Sequence, residues 1–221
     1  MHIMDGYLPL THAAGWAGAS APFVVSGYRR LRRSAGADGR FVLATAAAFT
    51  LLLSSLKLPS VAGSSSHPTG TALGTMLAGA PVMSVVATIV LLFQALLLAH
   101  GGVTTLGANV FSMGVVGPWC ALFVYRLLQR LGVPSALTLG IAAFSGDMST
   151  YVTTSFQLAI AHPEAGASIG AAFGRFLTVF SLSQVPIAIL EGVLTVLVFR
   201  ALPTHARTAL STAGSPSLHP V

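Results

Sequence analysis

Residues 69–80 read TGTALGTMLAGA. They are apolar enough to enter a bilayer but too few to cross it, since a spanning helix needs about 20 residues. Whether this stretch counts as a crossing decides how the chain is threaded. Six other apolar stretches flank it, at 11–28, 41–58, 82–99, 107–130, 135–161 and 170–201. Gly79 and Pro81 part it from its successor. Basic residues mark cytoplasmic connections, and Arg29, Arg30, Arg32, Arg33 and Arg40 fill the first connection. That connection is therefore cytoplasmic and the N-terminus outside. If the short stretch crosses, Arg126, Arg130, Arg200 and Arg207 also fall inside, leaving only Lys57 and Arg175 near the outer face, a split of nine against two. If it does not cross, those four arginines move outside. Seven crossings is the better reading.

A short third helix requires the segment before it, LPSVAGSSSHPTG (58–70), to dip into the membrane. Irregular backbone at that depth is tolerated only where protein buries it or a wet cavity adjoins it. Ser60, Ser64, Ser65, Ser66, His67 and Thr69 supply the polar groups. On the seven-crossing threading, the N-terminus, His67 and the connection HGGVTTLGAN (100–109) share the outer face. The expected fold is all-α: one polytopic membrane domain over residues 1–202, with residues 203–221 a loose cytoplasmic tail rich in proline.

Composition agrees. Of 221 residues, 54% are hydrophobic and 7% charged, against about 25% charged in soluble domains. So few charges cannot cover a water-facing surface, and lipid must do so. The net charge of +6 comes from residues that set topology, so no nucleic-acid partner is implied. Cys120 is the single cysteine, which excludes an internal disulfide and a cysteine-based zinc site. Lys57 is the single lysine and is followed by Leu58, so the phosphate loop of an ATPase is missing. No zinc-protease helix or serine–histidine–aspartate set stands out. The chain reads as a non-enzyme.

The first ten residues, MHIMDGYLPL, contain no basic residue, so they do not read as a secretory signal. His2 is bulky, which disfavours removal of Met1. A free Met1 amine, the His2 amide nitrogen and the His2 imidazole can together chelate one metal ion, closing a five-membered and a six-membered ring. Such in-plane nitrogen donors suit Ni(II), Cu(II) or low-spin Co(II), and His67 is the natural fourth donor. A terminal histidine is ordinarily a frayed residue; here a polar loop bearing a second histidine shares its face. Pro68 biases His67 away from helical geometry. Asp5, His100, Thr104 and Asn109 are expected around these ligands: Asp5 to orient an imidazole or cap the first helix, the others as hydrogen-bonding neighbours. Asp147 and Glu191 are acids inside apolar runs and are suspects by position.

With MHIMDGYLP, KLPSVAGSSSHPTGTALG and GGVTTLGAN read together, the chain resembles the CbiM family, substrate-binding components of energy-coupling-factor cobalt transporters. The resemblance runs along almost the whole chain. Gly70–Thr71–Ala72–Leu73–Gly74 departs from the family's usual GTGLG at one residue and touches no ligand. The resemblance implies metal held by Met1, His2 and His67. It also implies Co(II) as transported substrate, no organic cofactor, a bacterial inner-membrane location and supply of cobalt for cobalamin synthesis. Partners implied are a transmembrane T-component, ATPase subunits and a small accessory membrane protein. The ligand set alone fits Ni(II) at least as well, so a nickel-specific component is the alternative. A self-contained secondary cation transporter is a third reading, which would need a relay through Asp147 and Glu191.

Overall fold

The structure, a computed structural model, describes residues 1–33, 37–59, 64–163 and 168–201. Ser60, Arg207, His205, His219 and the 203–221 tail lie outside the described residues. The helices fall on the apolar stretches: α1 (Leu10–Arg33), α2 (Ala37–Ser55), α3 (Thr71–Ala78), α4 (Ala80–Leu97), a continuous helix made of α5 (Leu106–Asn109), a π-helical segment (Val110–Val116) and α6 (Gly117–Arg130), then α7 (Ser135–Ala161) and α8 (Ile169–Ala201). Helix α3 has eight residues, about 12 Å of rise, far short of the ~30 Å hydrocarbon layer. It stops at Gly79, whose φ of 86° breaks the helical run, and α4 restarts with Pro81 in its first turn.

The expectation of irregular backbone before α3 needs correction. His2–Ile3 (β1), Leu58–Pro59 (β2) and Ser64–Ser66 (β3) form a three-stranded antiparallel sheet in the order β1-β3-β2. The physical reason is hydrogen bonding. In β1 and β3, buried away from water, the backbone N–H and C=O groups need partners, and strand pairing between the N-terminus and the loop supplies them. Strands of two or three residues carry no readable periodicity, so the sequence pattern could not show them.

Among the described residues, three helical spans are both long and apolar enough to cross a bilayer: Ala80–Leu97, Leu106–Arg130 and Ile169–Ala201. Helix α7 has 27 residues, but its buried side includes Asp147, Thr150, Thr154, Ser155 and Gln157, which lower its hydropathy. Two of the hydroxyls turn back onto their own helix: Thr154 and Ser155 donate to the Thr150 and Tyr151 carbonyls at 3.0 Å each. Helix α7 packs along α8 and α6, and α1 packs on α4. The α7–α8 contact is close because Gly140 faces Gly192; a Cβ at 192 would stand 2.9 Å from the Gly140 carbonyl oxygen. Small residues at such contacts let membrane helices approach.

Candidate metal centre

Strand pairing assembles the site. His2 stands opposite Ser65 in the β1–β3 register, and His67 follows β3 immediately. The sheet thus brings together two histidines 65 positions apart. Met1, His2 and His67 are fully buried and His100 is 2% exposed. His2 Nδ1 is turned onto His67 Nε2, with ring centroids 4.2 Å apart. His67 Nδ1–H donates to the Pro68 carbonyl at 2.9 Å. A carbonyl only accepts, so Nδ1 carries the proton and Nε2 keeps its lone pair. His100 completes a cluster, its ring centroid 4.5 Å from that of His2 and 4.9 Å from that of His67. One nitrogen from each of the three rings lies within 4.8 Å of the others.

Burial keeps these nitrogens unprotonated. It holds the Met1 amine down to about 6, against a weaker upward pull from Asp147 and Glu191. Burial, then neighbouring positive charge, pushes His2 and His67 well below the usual imidazole range. His100 is lowered to about 4, mainly by burial and further by the Met1 amine and Lys57. At neutral pH the cluster therefore offers lone pairs, the state a metal ion requires.

The loop 100–109 clasps the N-terminal segment. Ile3 N–H donates to Asn109 Oδ1 at 2.8 Å, and Asn109 Nδ2 donates back to the Ile3 carbonyl at 3.0 Å. Thr105 Oγ1 donates to the same carbonyl at 2.7 Å. Asn109 thus acts as a strand edge for the residue after His2. Asp5 neither orients an imidazole nor caps α1, as either expectation would have it. Its Oδ1 accepts from the Thr104 N–H at 2.9 Å and Thr104 Oγ1 at 2.6 Å, fixing the exposed turn after β1. These bonds hold its carboxyl below the usual range. The turn sits so close to Gly102 that a Cβ there would stand 2.4 Å from Asp5 Oδ1. His162, exposed, joins its Nε2 to the Tyr7 carbonyl at 2.7 Å, tying α7 to the N-terminal segment. His12 is not part of the cluster.

The two buried acids sit behind His67. Glu191 on α8 accepts from the Thr69 N–H, from Thr69 Oγ1 at 2.8 Å and from the Gly70 N–H at 3.0 Å. It pins the loop that carries His67, at a point where Gly70 adopts φ 67°. Asp147 Oδ2 accepts from Gln184 Nε2 at 2.7 Å, and the same amide nitrogen reaches the His67 carbonyl at 3.2 Å. Sequence position singled out both acids, but nothing in the sequence pointed to partners 37 and 122 residues away.

Asn109→Ala tests the clasp. It strands the buried Ile3 N–H, a loss of about 1–3 kcal/mol, and frees the segment that carries Met1 and His2. Metal affinity by calorimetry is expected to fall about 10–100-fold, the range seen when a ligand loses its supporting hydrogen bond. Unchanged affinity would mean that Asn109 does not position the terminus.

A largely helical chain with apolar spans thus gathers, beside its N-terminal amine, a buried trio of imidazoles that could hold a metal ion. A family model described as the cobalt uptake substrate-specific transmembrane region, CbiM, matches residues 2–209. The chain is 52% identical over 216 residues to the cobalt transport protein CbiM of Streptomyces coelicolor, covering 97% of this chain and 93% of the relative. It is 53% identical over 216 residues to the CbiM of a Roseiflexus species, covering 97% and 86%. A crystal structure of a truncated transition metal transporter superposes with a TM-score of 0.83 at 25% identity, covering 93% of this chain and 99% of that one. The chain belongs to the CbiM family, as its N-terminal and loop motifs led one to expect.

Proposed function

We propose that this chain captures Co(II) at the outer face of the bacterial inner membrane, as the high-affinity substrate-binding subunit of an ATP-driven importer that supplies cobalamin synthesis. The ligands are the Met1 amine, the His2 amide nitrogen, His2 Nδ1 and His67 Nε2. One observation carries this reading. A Met1–His2 chelate must use Nδ1 of His2 to close its six-membered ring, and Nδ1 is the nitrogen turned onto His67 Nε2. Cobalt, rather than nickel, is favoured by the cobalt transport named for the relatives; the four-nitrogen plane itself suits either ion.

Seven crossings with the N-terminus outside and residues 203–221 inside complete the proposal, supported by the arginine distribution. Helix α3 and the sheet above it together fill one crossing. Energy comes from partners: a T-component, ATPase subunits and a small accessory membrane protein. The missing phosphate loop supports that division of labour.

Reconstituted alone in vesicles, the chain is expected to bind Co(II) and to show no ATP hydrolysis. Cobalt accumulation is expected only when ATPase partners are added on the arginine-rich side. Accumulation driven by a proton gradient in the isolated chain would instead support a secondary transporter.

A further inference from the structure

We infer that His100 is an axial fifth ligand of the bound ion, and that it tilts the site toward Co(II) over Ni(II). The inference rests on the four-nitrogen reading above and adds a donor to it. His100 is 2% exposed, and its Nε2 is already engaged, 2.8 Å from Ser65 Oγ. Its Nδ1 is buried with no hydrogen-bond partner among the described residues. A buried imidazole nitrogen without a partner has lost water and gained nothing. A metal ion beside it would supply the missing partner, and the other two rings of the cluster stand within reach.

The backbone is bent to place this ring. Ala99 has φ 46° and Gly101 has φ 76°, so both neighbours of His100 are left-handed. For alanine that conformation is unfavourable, and such outliers persist where the surroundings demand them. Gly101 also lacks room for a side chain: a Cβ would lie 3.2 Å from His2 Cδ2 and 3.1 Å from Asn109 Nδ2. His100 and the chelating residue are therefore packed ring against ring, with Ser65, the strand partner of His2, holding the far nitrogen.

Ligand-field chemistry gives the position its consequence. In a plane of four nitrogens, low-spin Co(II) has one electron in the orbital normal to the plane and accepts an axial donor. Low-spin Ni(II) has that orbital filled and repels one. An imidazole above the plane adds a bond for cobalt and nothing for nickel. A ligand set that looks indifferent between the two ions becomes selective through one side chain.

The test is electron paramagnetic resonance of the full chain, purified in detergent and loaded with Co(II) without oxygen. A low-spin signal is expected in which one axial 14N splits each cobalt hyperfine line into three, the triplets becoming doublets when histidine is labelled with 15N. In His100→Phe, which fills the space without a nitrogen, the splitting should vanish. Its Co(II) affinity should fall at least about tenfold, while Ni(II) affinity stays within about twofold. A low-spin signal without axial nitrogen splitting in the unmodified chain overturns the proposal while leaving the four-nitrogen plane intact. Equal loss of both metals in His100→Phe overturns it too, because His100 would then serve packing alone. A high-spin signal removes the planar site itself, and with it the basis for an axial ligand.

Discussion

A chain carrying extra residues ahead of Met1 should bind Co(II) at least about 100-fold more weakly than one beginning at Met1, beyond the loss caused by disturbing a ligand's support. The extension turns the amine into an amide, which has no lone pair to donate, and it opens the five-membered ring. It also has nowhere to go. Met1 is fully buried, and the N-terminal segment is packed with Ile3, Leu8, Ala108, Tyr151 and Phe180 in one apolar cluster. The clean comparison is calorimetry on one preparation before and after a protease removes a tag and leaves Met1 first. Equal affinity in both states would remove the amine from the ligand set.

The second large effect is expected from the two histidines that face one another. His2→Ala removes the imidazole arm of the chelate, and His67→Ala removes the fourth donor. Each should cost at least about 100-fold in affinity for cobalt and nickel alike, more than the ~10–100-fold cost of losing a supporting hydrogen bond. His162→Ala is the control, since its exposed ring bonds the Tyr7 carbonyl and lies outside the histidine cluster. His205→Ala, on the chain's C-terminal tail, should be silent as well. A titration series over these variants, with thermal unfolding to confirm folding, checks the assignment. If His67→Ala bound metal as tightly as the parent, the fourth nitrogen would have to come from elsewhere.

The parts of this molecule that follow from hydropathy and punctuation were legible in the sequence. The stretch at 135–161 coincides with α7, and the break at Gly79–Pro81 lies where α3 gives way to α4. His2 and His67 stood out because their chemistry is strong and their motifs specific. Long-range pairing was not legible. The sheet joins the chain's second residue to its sixty-fifth through strands too short to show a pattern. Asp5 was expected to orient an imidazole or cap the first helix, yet it accepts from Thr104, 99 residues away. His100 was expected only as a neighbour of the ligands. Its place against His2 depends on the left-handed turn through Ala99 and Gly101, which glycine hints at and alanine conceals.

The central claim is that a backbone amide nitrogen, not only side chains, holds the ion, and proton release tests it most directly. With burial holding the Met1 amine near 6, His100 near 4, and the His2 and His67 imidazoles well below their usual range, little else at the site carries a displaceable proton at pH 8. Coordination by the His2 amide must expel its proton, so Co(II) titrated into weakly buffered protein at pH 8 should release about one proton per ion bound. The same ion bound by imidazole nitrogens alone would release almost none, and that result would contradict the chelate.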